Sequence, residues 1–231
     1  MSAFFQLLTE LDVHIEPELF DLALTHRSYA YEHGQIPNNE RLEFLGDAVL
    51  SIVVTERLYR AYPDFPEGRL AKLRAAVVSS VSLAAVARRL EIGSLIKLGK
   101  GEISTHGDDK TSILADTVEA LIGAAYLSDA SAARRLVTAV FQPLLEEAVK
   151  LGSGLDWKTA LQELTAANGL GSVGYQLSET GPDHDKEFTA RAVINERSFE
   201  PGVGHNKKHA EQIAAENAAR TLQAEGYQFA N

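Results

Sequence analysis

The chain has 231 residues, 45% of them hydrophobic, no cysteine and a formal net charge of −10. That length suits one large or two smaller globular domains, and the missing cysteines exclude disulfides and thiolate metal sites and fit a reducing cytoplasm. The charge argues against general attraction to polyanions in either part: residues 1–150 hold 15 Lys+Arg against 21 Asp+Glu, and residues 151–231 hold 7 against 11. Any binding to a polyanion must therefore come from local placement of cations.

The opening MSAFFQLLTELDV has no basic stretch before its apolar residues and reaches Glu10 early, so neither a signal peptide nor a membrane span is expected. Residues 3–11 and 17–30 read as amphipathic helices, the second started by Pro17. HGQIPNN is a loop, and Asn38 or Asn39 can cap a helix running to about Tyr62. Pro66 and Glu67 restart a helix in the first-turn positions that the helix dipole favours. VSLAAVARRL is a further helix ending near Gly93. Residues 96–111, rich in glycine and polar groups, read as a long loop. SILADTVEALIGAAYLSD and residues 131–150 complete an all-helical part.

The texture changes at residues 151–154, which read as a linker containing Gly152-Ser153-Gly154. A helix over 156–168 follows, then strands at 175–180, 186–195 and 198–203, and an alanine-rich helix over about 206–225. Phe188, Ala190, Ala192 and Ile194 alternate with period two on one face of the middle strand. The order α-β-β-β-α predicts a small α+β domain with two helices on one face of a three-stranded antiparallel sheet. The expected division is 1–150, the linker, and 155–227.

Two helices carry the chemistry. In NNERLEFLGDAVLSIVV, Glu43 and Asp47 share a helical face with Glu40 one turn earlier, among Leu42, Phe44, Leu45, Ala48, Val49, Ile52 and Val53. The second helix presents Asp116 and Glu119, three residues apart. Four carboxylates converging between apolar helices repel unless a cation sits among them. Oxygen donors alone suit a hard divalent ion such as Mg²⁺ or Mn²⁺, which can assist displacement at a phosphate. Helix-surface ion pairs are the plainer alternative. A di-iron carboxylate bundle needs Glu-x-x-His, and neither helix contains histidine. At the start of the last helix, Asn206 can cap, while Lys207 and Lys208 oppose the dipole. Phosphate contacts would account for them, and a solvated lysine pair is the alternative.

Glu40-Arg41-Leu42-Glu43-Phe44-Leu45-Gly46-Asp47-Ala48-Val49-Leu50 resembles the signature of the bacterial ribonuclease III endonucleases. LTHRSY at 24–29 and ILADTVEALIG at 113–123 resemble two further blocks of that family. Lys158-Thr159-x-Leu161-Gln162-Glu163, GPDHDKEF and GVGHNKKHAEQIAA are similar to a double-stranded-RNA-binding domain. The resemblance implies an all-α endonuclease domain followed by that α+β domain, and Mg²⁺-dependent hydrolysis of duplex RNA leaving 5′-phosphate and 3′-hydroxyl ends. Glu43, Asp116 and Glu119 match its metal ligands, Asp47 and Glu119 its catalytic acids, and Glu40 and Glu67 its supporting acids. It also implies a homodimer, with Phe44 matching an aromatic that enters the partner subunit; core packing is the other reading of Phe44. Thr159, Gln162, Glu163 and His184 match minor-groove contacts, and Lys207 and Lys208 match phosphate contacts. Asn206 stands where the family usually has serine, and Trp157 where proline is common. Processing of ribosomal and messenger RNA precursors is the expected role. A duplex-RNA binder whose nuclease domain only dimerises is the competing reading.

Overall fold

In the computed structural model, which describes residues 3–150, 156–181 and 186–229, the chain divides into units Met1–Gly154 and Leu155–Asn231. The expected linker, 151–154, lies outside the described residues. The first unit is helical: α1 (Ala3–Glu10), α2 (Pro17–Ala23), α3 (Arg27–Glu32), α4 (Glu40–Ala61), α5 (Glu67–Val77), α6 (Ser80–Arg89), α7 (Lys100–Ser104), α8 (Thr111–Ser128) and α9 (Ala130–Lys150). α4 and α8 make its most extensive pairing, and α2, α6 and α9 pack around α8. Leu50, Leu58, Leu83, Leu114, Leu121 and Val137 are fully buried there. Each contributes about 1.5–3 kcal/mol from its removal from water. No single helix among the described residues is long and apolar enough to cross a membrane.

The helix expected over 17–30 is two helices. At Leu24–His26 the backbone turns its hydrogen bonds outward: Lys97 N–H donates to Leu24 O at 2.8 Å, His26 N–H to Lys97 O, and Asn39 N–H to Thr25 O. Thr25 and Lys97 thus form an isolated parallel bridge. The polar stretch 96–111 is correspondingly not a plain loop. It holds that bridge, α7, and a 3₁₀ turn at Gly107–Asp109. Glu32 and Ser28 of α3 accept the N–H groups of Lys100 and Gly99, both at 2.9 Å, which supplies the short α7 with N-terminal partners.

The start of α4 also departs from expectation. Asn39 occupies the cap position without capping; its buried side-chain amide donates to Ala23 O, while Asn38 Oδ1 accepts Glu40 N–H at 3.1 Å. Nor is α4 apolar all round in the fold: Leu42, Val49, Leu50 and Val53 are buried, whereas Phe44, Ala48 and Ile52 form an exposed apolar stripe.

The second unit runs α10 (Trp157–Ala167), β1 (Val173–Thr180), β2 (Glu187–Ile194), β3 (Arg197–Ser198), β4 (Gly202–Gly204) and α11 (Lys207–Ala224). β1 pairs antiparallel with one side of β2, from Val173 opposite Ile194 to Thr180 opposite Glu187. The expected third strand, 198–203, is interrupted: β3 and β4 both pair with the other side of β2, Val193 facing Ser198 and Ala190 facing Gly202. Three steps along β2 therefore oppose four on its partner, a bulge that accommodates Pro201, which has no N–H for the ladder. Ala190, Ala192 and Ile194 point into the core as their alternation predicts. A Cβ on Gly202 would lie 2.4 Å from Ala214 N, and one on Gly204 2.8 Å from Ala210 N, so β4 touches the alanine face of α11 directly. Lys158 pairs with Glu211, and Trp157 N–H donates to Gln212 Oε1, joining α10 to α11.

Candidate active site

α4 and α8 approach backbone to backbone at two glycines. A Cβ on Gly46 would stand 1.7 Å from the carbonyl oxygen of Glu119, and one on Gly123 2.3 Å from that of Leu42. A mid-helix glycine costs about 1 kcal/mol relative to alanine, a cost that the close crossing offsets. Because Gly46 meets Glu119 itself, the crossing brings Glu43 on α4 against Asp116 and Glu119 on α8. One carboxylate oxygen from each of these three residues lies within 4.8 Å of the others.

The expected fourth acid does not join them in this arrangement. Asp47 is exposed one turn along α4 and stands outside the three-carboxylate group, though its charge reaches Glu119 and Glu43. Burial, then the charges of Asp47, Asp116 and Glu43, push the Glu119 carboxyl up to about 7. Burial and the neighbouring Asp116 and Glu40 charges raise Glu43, and burial raises Asp116, opposed by His26 and Arg27. These half-buried acids are costly to ionise together, and a cation between them removes that cost.

Glu43 and Asp116 open onto a cavity of about 550 Å³ whose other walls include His26, Arg27, Glu40, Glu102 and Lys110. Three clustered carboxylates, two of them opening onto the cavity, fit a hard divalent ion: they supply oxygen donors, and the cavity leaves room for water to complete its shell. His26 Nδ1 accepts Ser28 N–H and lies 2.8 Å from Ser28 Oγ, and burial lowers the imidazole pKa. Lys110 Nζ is held by Glu102 at 2.6 Å and Thr105 Oγ1 at 2.8 Å. Glu40 is exposed at the rim, 3.8 Å from Arg27 and hydrogen-bonded to Asn38, while Glu67 is exposed in the first turn of α5 and outside the group.

Phe44, one residue after Glu43, is 82% exposed. It borders an open cavity lined by Leu19, Leu22, Ile36, Leu45 and Leu127, so it is not part of its own subunit's core.

In the second unit, Thr159, Gln162 and Glu163 lie exposed along one face of α10, at i, i+3 and i+4. Lys207 and Lys208 are exposed in the first turn of α11, which Asn206 caps by accepting His209 N–H at 2.9 Å. His184 lies outside the described residues.

The sequence reading gave no role to Gly46 and Gly123, although two glycines inside strongly helical runs were the available signal. It also assigned no task to His26, Arg27, Glu102 and Lys110. Their shared cavity forms only after the α2–α3 break brings residues 24–28 beside 97–110.

A model described as ribonuclease-III-like matches residues 16–144, and one for the double-stranded RNA binding motif matches residues 157–222. The chain is 60% identical over 215 residues to ribonuclease 3 of Streptomyces coelicolor, covering 93% of this chain and 78% of that one. It is 57% identical over 223 residues to ribonuclease 3 of Nocardia farcinica, covering 95% and 93%. Among solved structures, the nuclease domain of ribonuclease III from Campylobacter jejuni superposes with a TM-score of 0.53 at 40% identity, covering 59% of this chain and 97% of that one. That structure is described for flexibility in the region involved in its dimer formation. With family models matched over both units and ribonuclease 3 relatives at 57–60% identity over most of the chain, the chain belongs to the ribonuclease III family and is an endoribonuclease that cuts double-stranded RNA.

Proposed function

We propose that Glu43, Asp116 and Glu119 bind Mg²⁺, with Mn²⁺ as a substitute, and that Asp47 and Glu119 are the catalytic acids of phosphodiester hydrolysis. The observation that carries this reading is the three-carboxylate group held by the Gly46–Gly123 crossing. A divalent ion supplies positive charge against the charge that develops on the phosphoryl group. The protein's own part is to fix those carboxylates, keep Asp47 exposed beside them where a water or the substrate can reach it, and leave the cavity open to the RNA backbone. Attack by water on phosphorus with departure of the 3′-oxygen leaves 5′-phosphate and 3′-hydroxyl ends. Glu40, at the cavity rim, supports substrate. Glu67 also acts in support.

The active form is a homodimer in which Phe44 inserts into the partner subunit. Its exposure beside an apolar cavity supports this, as does the dimer-forming region named for the Campylobacter jejuni relative. In the second domain, residues 155–227 by this reading, Thr159, Gln162, Glu163 and His184 contact minor grooves, and Lys207 and Lys208 the phosphates between. The domain boundaries at 150 and 155, the cytoplasmic setting and processing of ribosomal and messenger precursors belong to the same proposal.

Asp47→Asn or Glu119→Gln should abolish cleavage of duplex RNA in Mg²⁺ while leaving its binding in Ca²⁺ close to wild type. Normal cleavage by Glu119→Gln would refute the catalytic assignment. Loss of binding together with cleavage would point to a structural role instead.

A further inference from the structure

A duplex entering this cavity brings negative charge to a protein of net charge −10, beside three carboxylates that one divalent ion only partly neutralises. The cavity wall offers two cations, and they are differently committed. Lys110 is fixed by Glu102 and Thr105 at hydrogen-bonding distance, so its charge is already used within the wall. Arg27 is not used in this way. Its side chain is 73% exposed, and its ion pair is a 3.8 Å contact with Glu40, too long for a hydrogen bond.

The backbone beneath Arg27 is well held. Its neighbour His26 accepts Ser28 N–H, Ser28 Oγ accepts Gly99 N–H at 2.9 Å, and Lys97 bonds to Leu24 and His26 on the other side. Arg27 is thus an exposed, loosely paired cationic head on a hydrogen-bonded backbone, at the rim of the cavity that holds Glu43 and Asp116. It stands close enough to both acids that its charge opposes the upward shift that burial imposes on them.

We propose that Arg27 is a substrate-contacting residue that leaves Glu40 to bind an RNA backbone phosphate next to the cleaved linkage, seating the strand against the carboxylate group. The planar guanidinium can take two oxygens of one phosphate, which a loosely paired surface arginine can do at little cost. This proposal rests on the reading of the cavity as the catalytic one, and its test is separable from that reading.

The measurement is single-turnover kcat/KM on a synthetic RNA duplex in Mg²⁺, from 50 to 200 mM salt, for the full chain and its Arg27→Gln, Arg27→Lys and Arg89→Gln variants. Loss of one phosphate contact flattens the logarithmic salt slope by about one. The ratio of wild-type to Arg27→Gln rate constants should therefore shrink about fourfold over that range, with unchanged melting temperature. Arg27→Lys should restore the slope while recovering only part of the rate, because an ammonium cannot grip two oxygens in a fixed plane. Arg89, exposed in the last turn of α6 and outside the cavity wall, should give the wild-type slope when changed. A wild-type slope for Arg27→Gln, or an equal change for Arg89→Gln, overturns the proposal. If Glu119→Gln cleaves normally, the catalytic reading itself fails; if Glu119→Gln is inactive and Arg27→Gln keeps its slope, only this inference fails.

Discussion

Glu119→Gln should make the metal-free protein more stable at pH 8, although it removes a residue assigned to catalysis. In the absence of a cation, the Glu119 carboxyl is pushed from 4.5 up to about 7 by burial and by Asp47, Asp116 and Glu43. The folded state therefore keeps a proton that the unfolded chain has already released. Wild-type stability falls as pH rises from about 4.5 through about 7, and the full loss is present at pH 8. A shift from 4.5 to about 7 corresponds to a ceiling of about 3 kcal/mol at 1.36 kcal/mol per pKa unit. Partial exposure of the cluster reduces this, so a gain of about 1–3 kcal/mol is expected. The carboxylate has no hydrogen-bond or ion-pair partner among the described residues that glutamine would forfeit. For a domain of this size the gain corresponds to several degrees in Tm. Thermal unfolding in EDTA at pH 8 should show the variant melting higher, with the difference shrinking as pH falls through about 7 and vanishing only below about 4.5. Millimolar Mg²⁺ should then stabilise wild type more than the variant and narrow or reverse the order. A variant that melts lower than wild type in EDTA at pH 8 would refute the electrostatic account of the cluster.

Gly46→Ala should destabilise the first unit by about 3 kcal/mol or more, since its methyl group would meet the Glu119 carbonyl at 1.7 Å, and Mg²⁺-induced stabilisation should weaken with it; calorimetry with and without metal checks both. Phe44→Ala should leave secondary structure intact, because the ring is 82% exposed, while shifting sedimentation from dimer toward monomer; an unchanged dimer would remove Phe44 from the interface. Replacing Lys207 and Lys208 by glutamine should weaken binding to every duplex sequence and lower the salt slope by about two, measured by gel shift in Ca²⁺. Loss of binding to some sequences only would argue against phosphate contacts.

The carboxylate spacing was legible because helical periodicity alone puts Glu43 and Asp47, or Asp116 and Glu119, on shared faces. Periodicity does not say how two helices cross, so it could not separate Asp47 from the three acids that meet. That distance depends on the depth of approach at Gly46 and Gly123. The same limit applies to Ile52, which reads as part of the apolar wrap of α4 yet is exposed, and to Phe44, for which core packing and a partner contact stay open in the sequence and whose ring is exposed in the fold. The break at Leu24–His26 has no proline or glycine to announce it. It is imposed by hydrogen bonds to Lys97 and Asn39, residues distant in sequence, which also order part of the stretch expected to be loop. In the second unit the alternation along β2 sufficed for its inward face, while the bulge before Gly202 follows from pairing register, which the alternation cannot specify.

The most direct test of the account is to digest a long synthetic RNA duplex with the full chain, with Mg²⁺ and with EDTA, then resolve the products by size and identify their ends. Short duplexes carrying 5′-phosphate and 3′-hydroxyl termini, formed only with the divalent ion and absent with Asp47→Asn, are the predicted result. Equal cutting in EDTA, or 3′-phosphate ends, would contradict it.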